Sequence, residues 1–256
     1  MVNLQIWQYL IISLGTFLAG GVNALAGGGT LITFPLLTAM GLPAITANIT
    51  NTIGLCPGSF GATLVQLNEL KSQKYRLILF IPAALVGGII GGVILLHTGE
   101  RSFQKLIPYL ILLASVMLAL GTSLRKWVSR KNVIRDSTRF FEILAIPIII
   151  LAAIYGGYFG AGLSVILLAV LGMLVNDSLK KLIALRQVLA FATNVAAAIF
   201  FVFSGNIQWI VAVVMAISAL VGGVAGGKLV VKLNPEVIRW VIVSIGLIIG
   251  VIYLIK

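Results

Sequence analysis

The sequence predicts an all-α, polytopic integral membrane protein built from two repeats of inverted topology. Three observations predict this class. Hydrophobic residues make up 60% of the chain and charged residues only 9%, apolar runs reach the roughly 20 residues that a helix needs to cross the hydrocarbon core, and a glycine-rich pattern occurs twice. Lipid offers a spanning backbone no hydrogen-bond partners. Because the apolar runs are continuous rather than alternating, they favour helices over the strands of a barrel.

Composition also excludes several functions. The net charge of +12 does not indicate a nucleic-acid partner, because the basic residues lie in short connections between apolar runs, where the positive-inside rule places them. The single cysteine, Cys56, excludes an internal disulfide and cannot by itself supply a cysteine-based metal site. The sequence has no nucleotide-binding loop, HExxH motif or Ser/His/Asp set in one wet place. We therefore predict no enzyme activity, no cofactor and no metal.

Two pairs of similar segments indicate a duplication. Residues 84–92 read ALVGGIIGG and residues 219–227 read ALVGGVAGG, with seven of nine positions identical at an offset of 135. Upstream, AGGGTLI at residues 26–32 corresponds to GAGLSVI at residues 160–166, at nearly the same offset. Either match alone is weak, since small residues are common in membrane helices. Two matches in the same order predict two repeats.

Each repeat is predicted to contain an apolar run, a glycine break, a short apolar run and three full-length transmembrane helices. The first run is uncharged, since the first charged residue is Glu69, and it lacks the basic start of a signal peptide, so it is predicted to be retained. In the first repeat, residues 1–124, the predicted elements are 4–24, 30–42, 44–67, 77–96 and 103–124. In the second repeat, residues 143–256, they are 143–158, 162–175, 182–203, 207–231 and 237–255.

The basic residues predict how the repeats are oriented. Residues 125–142 form a linker with six Lys or Arg residues and two acids, which predicts a cytoplasmic location. If each glycine-broken pair returns to its own side, the repeats are inverted, and 15 basic residues lie on or near the cytoplasmic side, leaving Arg101, Lys105 and Lys256 outside. If the pair crosses once, ten basic residues lie on the cytoplasmic side and eight lie outside. The inverted arrangement is favoured, while re-entrant hairpins and pairs of thin crossings both stay open.

The glycine breaks predict an anion site inside the membrane. The short run at 30–42 follows Gly27, Gly28 and Gly29, so its helix begins within the bilayer with unpaired N–H groups and the positive end of a helix dipole. The break at Gly160 and Gly162 offers a second such end from the opposite direction, as the broken helices of inverted-repeat transporters do. The alternative is that these glycines only let helices pack closely.

Polar residues inside the apolar runs supply further candidates. Arg186 lies five residues past Lys181, roughly 7 Å into an apolar run, and alternatively reaches back to the cytoplasmic interface. The neutral cluster of the first repeat, which includes Thr52 and Ser59, alternatively forms interhelical hydrogen bonds. The predicted substrate-binding residues are Gly27, Gly28, Gly29, Thr30, Asn48, Thr50, Asn51, Gly160, Gly162, Ser164, Arg186, Gln187, Thr193 and Asn194.

One segment also carries a family resemblance. Residues 20–41 read GGVNALAGGGTLITFPLLTAMG and residues 47–51 read ANITN. This glycine-rich turn, short proline-containing helix, Gly-Leu-Pro break and Ala/Thr/Asn-rich helix start resemble the TauE/SafE family of membrane permeases, and the resemblance covers essentially the whole chain. The second half departs from the pattern, with Leu163 and Ala169 where the first half has Gly29 and Pro35. The resemblance implies export of sulfite, sulfoacetate or related organosulfonates across the bacterial cytoplasmic membrane.

We therefore expect a multi-pass transporter of the bacterial cytoplasmic membrane that exports a small anion, such as sulfite or an organosulfonate. All six acids lie in or beside connections, so no proton relay is predicted, and a negative-inside potential favours anion exit by about 2.3 kcal/mol per charge per 100 mV. The alternatives are a proton-coupled or importing anion permease and a non-transporting assembly or sensor component. The expected partners are the anion and membrane lipid, with a homodimer left open.

The inverted topology makes a prediction about accessibility. In a chain that lacks Cys56, a Gly205→Cys variant should react with a membrane-impermeant maleimide added from outside, because the connection at residue 205 is external. An Asn234→Cys variant should react only after the membrane is permeabilised. The opposite labelling pattern would contradict the inverted arrangement.

Overall fold

A computed structural model of the chain describes residues 4–25, 27–131, 139–229 and 235–255. Within these ranges the regular secondary structure is helical, without strands. The first half contains α1 (Ile6–Leu25), α2 (Thr30–Ala39), α3 (Ala44–Val65), α4 (Leu67–Leu70), a 3-10 turn (Lys71–Gln73), α5 (Lys74–His97) and α6 (Glu100–Lys131). The second half contains α7 (Arg139–Tyr158), α8 (Leu163–Leu174), α9 (Leu179–Val202), α10 (Trp209–Leu229) and α11 (Pro235–Ile255).

The surface of this bundle is suited to lipid. Among the described residues, five segments are long and apolar enough to cross a membrane: Ile6–Asn23, Leu67–His97, Glu100–Gly121, Phe140–Tyr158 and Leu179–Val202. Large apolar side chains such as Leu14, Ile217 and Ile248 are mostly exposed on the outside of the bundle. A monomer in water rarely exposes so much apolar area. The prediction of an all-α polytopic membrane protein is therefore confirmed.

Helices of one half pack against helices of the other half in matching pairs. Helix α5 packs against α7 and α9, as α10 packs against α1 and α3. Helix α6 contacts α8, as α11 contacts α2, while the equivalent pairs α3/α9 and α6/α11 contact each other. Such an exchange is expected of two repeats related by an approximate two-fold axis. The opposite orientation of the repeats in the membrane stays a prediction.

Glycines let the exchanged helices approach at the level of their backbones. A Cβ atom added to Gly88 would lie 2.5 Å from the carbonyl oxygen of Thr193, and one added to Gly223 would lie 2.9 Å from that of Gly58. Residues 88 and 223 are related by the repeat offset of 135, and so are residues 58 and 193. The repeated ALVGGxxGG segments thus serve as packing surfaces, as small residues do in membrane bundles.

Most helix ends differ from those predicted by a few residues, and two of the differences have a clear physical reason. Helix α2 ends at Ala39 rather than residue 42, because Gly41 adopts a φ of +91° that a helix cannot continue through. Helix α6 continues to Lys131 rather than ending at residue 124. The length of the apolar run reflects only the part of the helix that crosses the hydrocarbon. Because Lys and Arg are good helix formers, the helix can continue beyond that run. Helix α7 begins at Arg139, so its first turn lies within the predicted linker, residues 125–142. Residues 132–138 of that linker lie outside the described residues.

A charged network holds the ends of several helices together on the side predicted to be cytoplasmic. The Arg76 guanidinium donates from Nε to Glu142 at 2.7 Å and from Nη1 to Asp177 at 2.5 Å, and Lys181 lies 3.3 Å from Asp177. Burial opposes ionisation of Asp177, but hydrogen bonds from the Ser178 N–H and the Arg76 guanidinium outweigh burial and lower the pKa of this carboxyl. The network ties the starts of α5 and α7 to the connection after α8.

Glycine packing generates a stability prediction. A methyl group at Gly91 would overlap the backbone of α7, including the N atom of Tyr158 at 2.8 Å, whereas a methyl group at Gly99 would meet no atom within 4 Å. Gly91→Ala should therefore destabilise the protein by about 1–3 kcal/mol through overpacking. The measurement is the thermal midpoint in detergent, with Gly99→Ala as the matched control. Equal midpoints for the two variants would show that this helix pair is not closely packed.

A candidate anion cavity at the two helix breaks

The two glycine breaks meet inside the bundle. A Cβ atom added to Gly27 would overlap the Ser164 side chain, so the first break lies directly against the start of α8. Gly27, Gly160 and Gly162 have φ values of +73°, +79° and +78°, which other residues rarely adopt. At Gly27 both the close approach and the backbone conformation require glycine. At Gly160 and Gly162 the backbone conformation requires it. The result is that the N-termini of α2 and α8 lie side by side.

A cavity of about 20 Å³ lies between these two ends. Its volume is enough for one or two water molecules. No charged side chain occurs in its lining, which is mostly polar. The lining residues are Asn23, Thr30, Thr52, Leu55, Ser59, Phe159, Gly160, Leu163, Ser164, Gln187, Ala190 and Asn194.

Most of the lining consists of residues at equivalent positions in the two repeats. Thr30 and Ser164 correspond in the alignment of the two breaks, at an offset of 134. At the offset of 135 found for the ALVGGxxGG segments, three further lining pairs correspond: Thr52 with Gln187, Leu55 with Ala190, and Ser59 with Asn194. Since both members of each pair reach the same cavity, the cavity lies on the approximate two-fold axis between the repeats.

Each helix N-terminus keeps one backbone donor beside the cavity. The N–H groups of Leu31 and Val165 donate to the carbonyls of Gly28 and Gly162, at 3.0 and 2.9 Å. The N–H groups of Thr30 and Ser164 donate no backbone hydrogen bond among the described residues. With the positive ends of two helix dipoles added, these donors favour an anion.

Gln187 adds a polar atom that has no hydrogen-bond partner among the described residues. Its side chain is only 2% exposed and lines the cavity, and its Oε1 atom accepts no hydrogen bond among the described residues. Which end of such an amide is oxygen is assigned from its hydrogen bonds. A buried polar group without a partner costs about 1–3 kcal/mol, so the Gln187 amide is left to bind a molecule in the cavity. Its oxygen can accept from water, and its Nε2 group, with the amide turned over, can donate to an anion.

Two neutral residues of the first repeat, Asn48 and Asn51, hold the helix breaks in position. Asn51 accepts a hydrogen bond from Thr33 and donates to the Thr30 hydroxyl at 3.3 Å, which holds α3 to the start of α2. Asn48 donates from Nδ2 to the carbonyl of Tyr158 at 2.8 Å, which holds α3 to the end of α7. Asn48 and Asn51 thus position the two breaks and do not line the cavity.

The remaining predicted residues also lie outside the lining. The Thr50 hydroxyl accepts from the Gln208 N–H at 3.2 Å, and Thr193 donates to the Leu189 carbonyl within its own helix at 2.9 Å. Arg186 is 1% exposed, so its side chain is enclosed by protein and does not lie at the outer surface of the bundle. Gly28, Gly29 and Gly162 pack against neighbouring helices. The structure therefore brings Thr30, Gly160, Ser164, Gln187 and Asn194 together at the cavity.

Asn23 is a lining residue that the sequence prediction missed. It lies on α1, and its Oδ1 accepts from the Gly29 N–H at 3.4 Å, so it partly caps the start of α2. The signal that could have found it is an amide inside a 20-residue apolar helix, six residues before the end of a glycine break. Thr52 and Ser59 were recognised as polar but were not among the predicted binding residues.

Comparisons with known proteins agree on a family and on a general activity. The family described as "Sulfite exporter TauE/SafE" matches residues 12–253. A "Probable membrane transporter protein" of Haemophilus influenzae is 30% identical over 89% of this chain and 87% of its own length. The "Probable membrane transporter protein YfcA" of Escherichia coli K12 is 25% identical over 89% and 82%, and "ORF9" of Sinorhizobium is 25% identical over 96% and 93%. No solved structure is significantly similar.

The paired hydroxyls at the cavity generate a binding prediction. Thr30→Val and Ser164→Ala should each weaken binding of methanesulfonate by about 1.5 kcal/mol, or roughly tenfold, because each removes one hydrogen bond to a charged ligand. Isothermal titration of the purified protein measures the effect. Thr16→Val is the matched control, since Thr16 is fully buried on α1 and does not line the cavity. Equal affinities in all three variants would exclude the hydroxyls from the site.

Proposed function

Because the chain belongs to the sulfite exporter TauE/SafE family, we propose that this membrane transporter exports a small anion of the sulfite or organosulfonate class across the bacterial cytoplasmic membrane. The observation that supports the anion is the meeting of two helix N-termini at one neutral cavity. Each end is equivalent to about half a positive charge and carries an N–H group that donates no backbone hydrogen bond within the described part of the chain. No carboxylate lines the cavity to compete with an anion.

Transport requires the cavity to change size. A volume of about 20 Å³ does not hold a sulfonate, so the observed conformation is closed around the site. In inverted-repeat transporters, one repeat moves against the other around a site at their interface. The exchange of helix partners between the halves and the axial position of the cavity support this mechanism. Opening toward either side would separate α2 from α8.

The charges at the site and across the membrane support the outward direction of transport. No acidic residue or histidine lines the cavity, so the site offers no group for a coupled proton. A negative-inside membrane potential drives an anion outward by about 2.3 kcal/mol per charge per 100 mV. Export therefore needs no coupling ion.

Arg186 is proposed to act behind the lining. It precedes Gln187 on α9 and is fully enclosed by protein. A buried guanidinium in a region of low dielectric raises the local potential over several ångströms. Its charge would attract the anion without the direct contact that would hold it too tightly to leave.

The proposal predicts flux in proteoliposomes. Radiolabelled sulfite should cross the membrane at a rate that depends on an imposed electrical potential and not on a pH gradient. Gln187→Leu should lower the rate about tenfold, because it removes a hydrogen bond to a charged ligand. Its thermal midpoint should not fall, since the Oε1 atom has no hydrogen-bond partner in the described ranges of the chain.

Gln66→Leu provides the matched control, because Gln66 lies near the end of α3 and outside the cavity lining. Stimulation by a pH gradient would indicate a coupled permease instead. The absence of flux for any sulfonate or sulfite would indicate a non-transporting membrane component.

A further inference from the structure

A second arginine is buried in the structure. Arg239, near the start of α11, is only 5% exposed. Its Nε and Nη1 atoms have no hydrogen-bond partner among the described residues. Its guanidinium carbon lies 5.3 Å from the ring centroid of Trp240, which is a weaker contact than an ion pair. An enclosed guanidinium with free donors is costly unless an anion approaches it.

The described carboxylates near Arg239 do not neutralise it. Glu236 precedes it by one turn and forms a salt bridge with Lys126 at 3.9 Å, in which both side chains are more than half exposed. No salt bridge among the described residues involves Arg239. The low exposure of Arg239 also argues against a lipid headgroup as its partner. An arginine that binds headgroups extends its side chain to the outer surface of the bundle.

The register of α11 against α2 places Arg239 in relation to the first helix break. Three contacts run in the same direction along both helices: Gly28 faces Ile242, Leu31 faces Gly246, and Thr38 is hydrogen-bonded to Tyr253. Arg239 precedes Ile242 by three residues, or about 4.5 Å along the helix axis. It therefore lies about one turn beyond the N-terminus of α2, in the direction that the predicted inverted topology makes cytoplasmic.

The second helix break has no equivalent charge. Gly162, at the start of α8, faces Ala114 of α6, and the residue three before it, Ile111, is a fully buried apolar residue. Among the described residues, Arg239 beside the first break thus has an apolar counterpart, Ile111, beside the second. In the predicted inverted topology, the side with the cation is cytoplasmic.

We propose that Arg239 and the N-terminus of α2 form a second anion site, which binds a small oxyanion on the cytoplasmic approach to the cavity. The guanidinium can donate two parallel hydrogen bonds to a sulfonate or sulfite. The identity of the anion rests on the proposed function, whereas the site itself rests on the burial and register of Arg239. A loading site on one side only suits a protein that moves anions outward.

The test measures binding of methanesulfonate to the purified protein in a zwitterionic detergent without added lipid. Arg239→Gln should weaken binding at least tenfold, because it removes a charge-assisted hydrogen bond. Arg239→Lys should bind with intermediate affinity, since it keeps the charge and loses the bidentate geometry. Arg101→Gln is the matched control, because it removes one exposed arginine at the opposite end of the bundle.

Each outcome decides the proposal. If Arg239→Gln binds as tightly as Arg101→Gln and the unmodified protein, the second site does not exist. If phosphatidylglycerol stabilises the unmodified protein but not Arg239→Gln, while methanesulfonate binds both equally, Arg239 binds lipid and the proposal is wrong. If Arg239→Gln does not fold, the affinity of Arg239→Lys decides between the bidentate site and no site. Flux in proteoliposomes is measured separately, so loss of transport and loss of this site are distinguishable.

Discussion

A helix that begins inside the hydrocarbon has no water to satisfy its first N–H groups, and this constraint governs the arrangement of the whole bundle. Helices α2 and α8 both begin in the interior of the bundle, where Thr30 is 9% and Ser164 7% exposed. Part of the demand is met locally, by the carbonyls of Gly28 and Gly162 and by the Asn23 side chain. The remaining donors must share a polar space in the interior. The two breaks are therefore pressed together, and the long helices of each repeat enclose the break of the other.

The same constraint explains why the cavity can be neutral and still suit an anion. Its first-repeat side carries the hydroxyls of Thr52 and Ser59, and its second-repeat side carries the amides of Gln187 and Asn194. None of these neutralises a charge. In the proposed function, the attraction would come from the helix ends and from the Arg186 charge behind the lining. Conduction requires a site that binds firmly enough to admit the ligand and weakly enough to release it, and dipoles and amides meet both needs better than a directly bound cation.

Contacts at the outer ends of the helices limit how the site can open. The C-terminal end of α2 is hydrogen-bonded to α11 through Thr38 and Tyr253 at 2.7 Å. The Glu100 carboxylate accepts from the N–H groups of Ala44 and Ile45, at 2.6 and 3.1 Å, and so holds the start of α3 to α6. The Arg76 network does the same for the helices around α8. A movement that widens the cavity must carry these groups together or break them.

The sequence by itself determined the fold class, the helices and the two breaks, because the length of an apolar run reflects the bilayer and because glycine is needed at a left-handed turn. It did not determine which way the polar residues point. Along α3, Asn48 and Asn51 face neighbouring elements while Thr52 and Ser59 face the cavity.

Likewise Gln187 lines the cavity and Arg186, one residue before it, does not. A helix turns by about 100° per residue, so each side chain's direction depends on how the helix is rotated against its neighbours. Only the packing of the two repeats decided that rotation. Packing likewise placed Asn23 at the cavity and buried Arg239 beside the first break, because both positions depend on contacts between helices that are distant in the sequence.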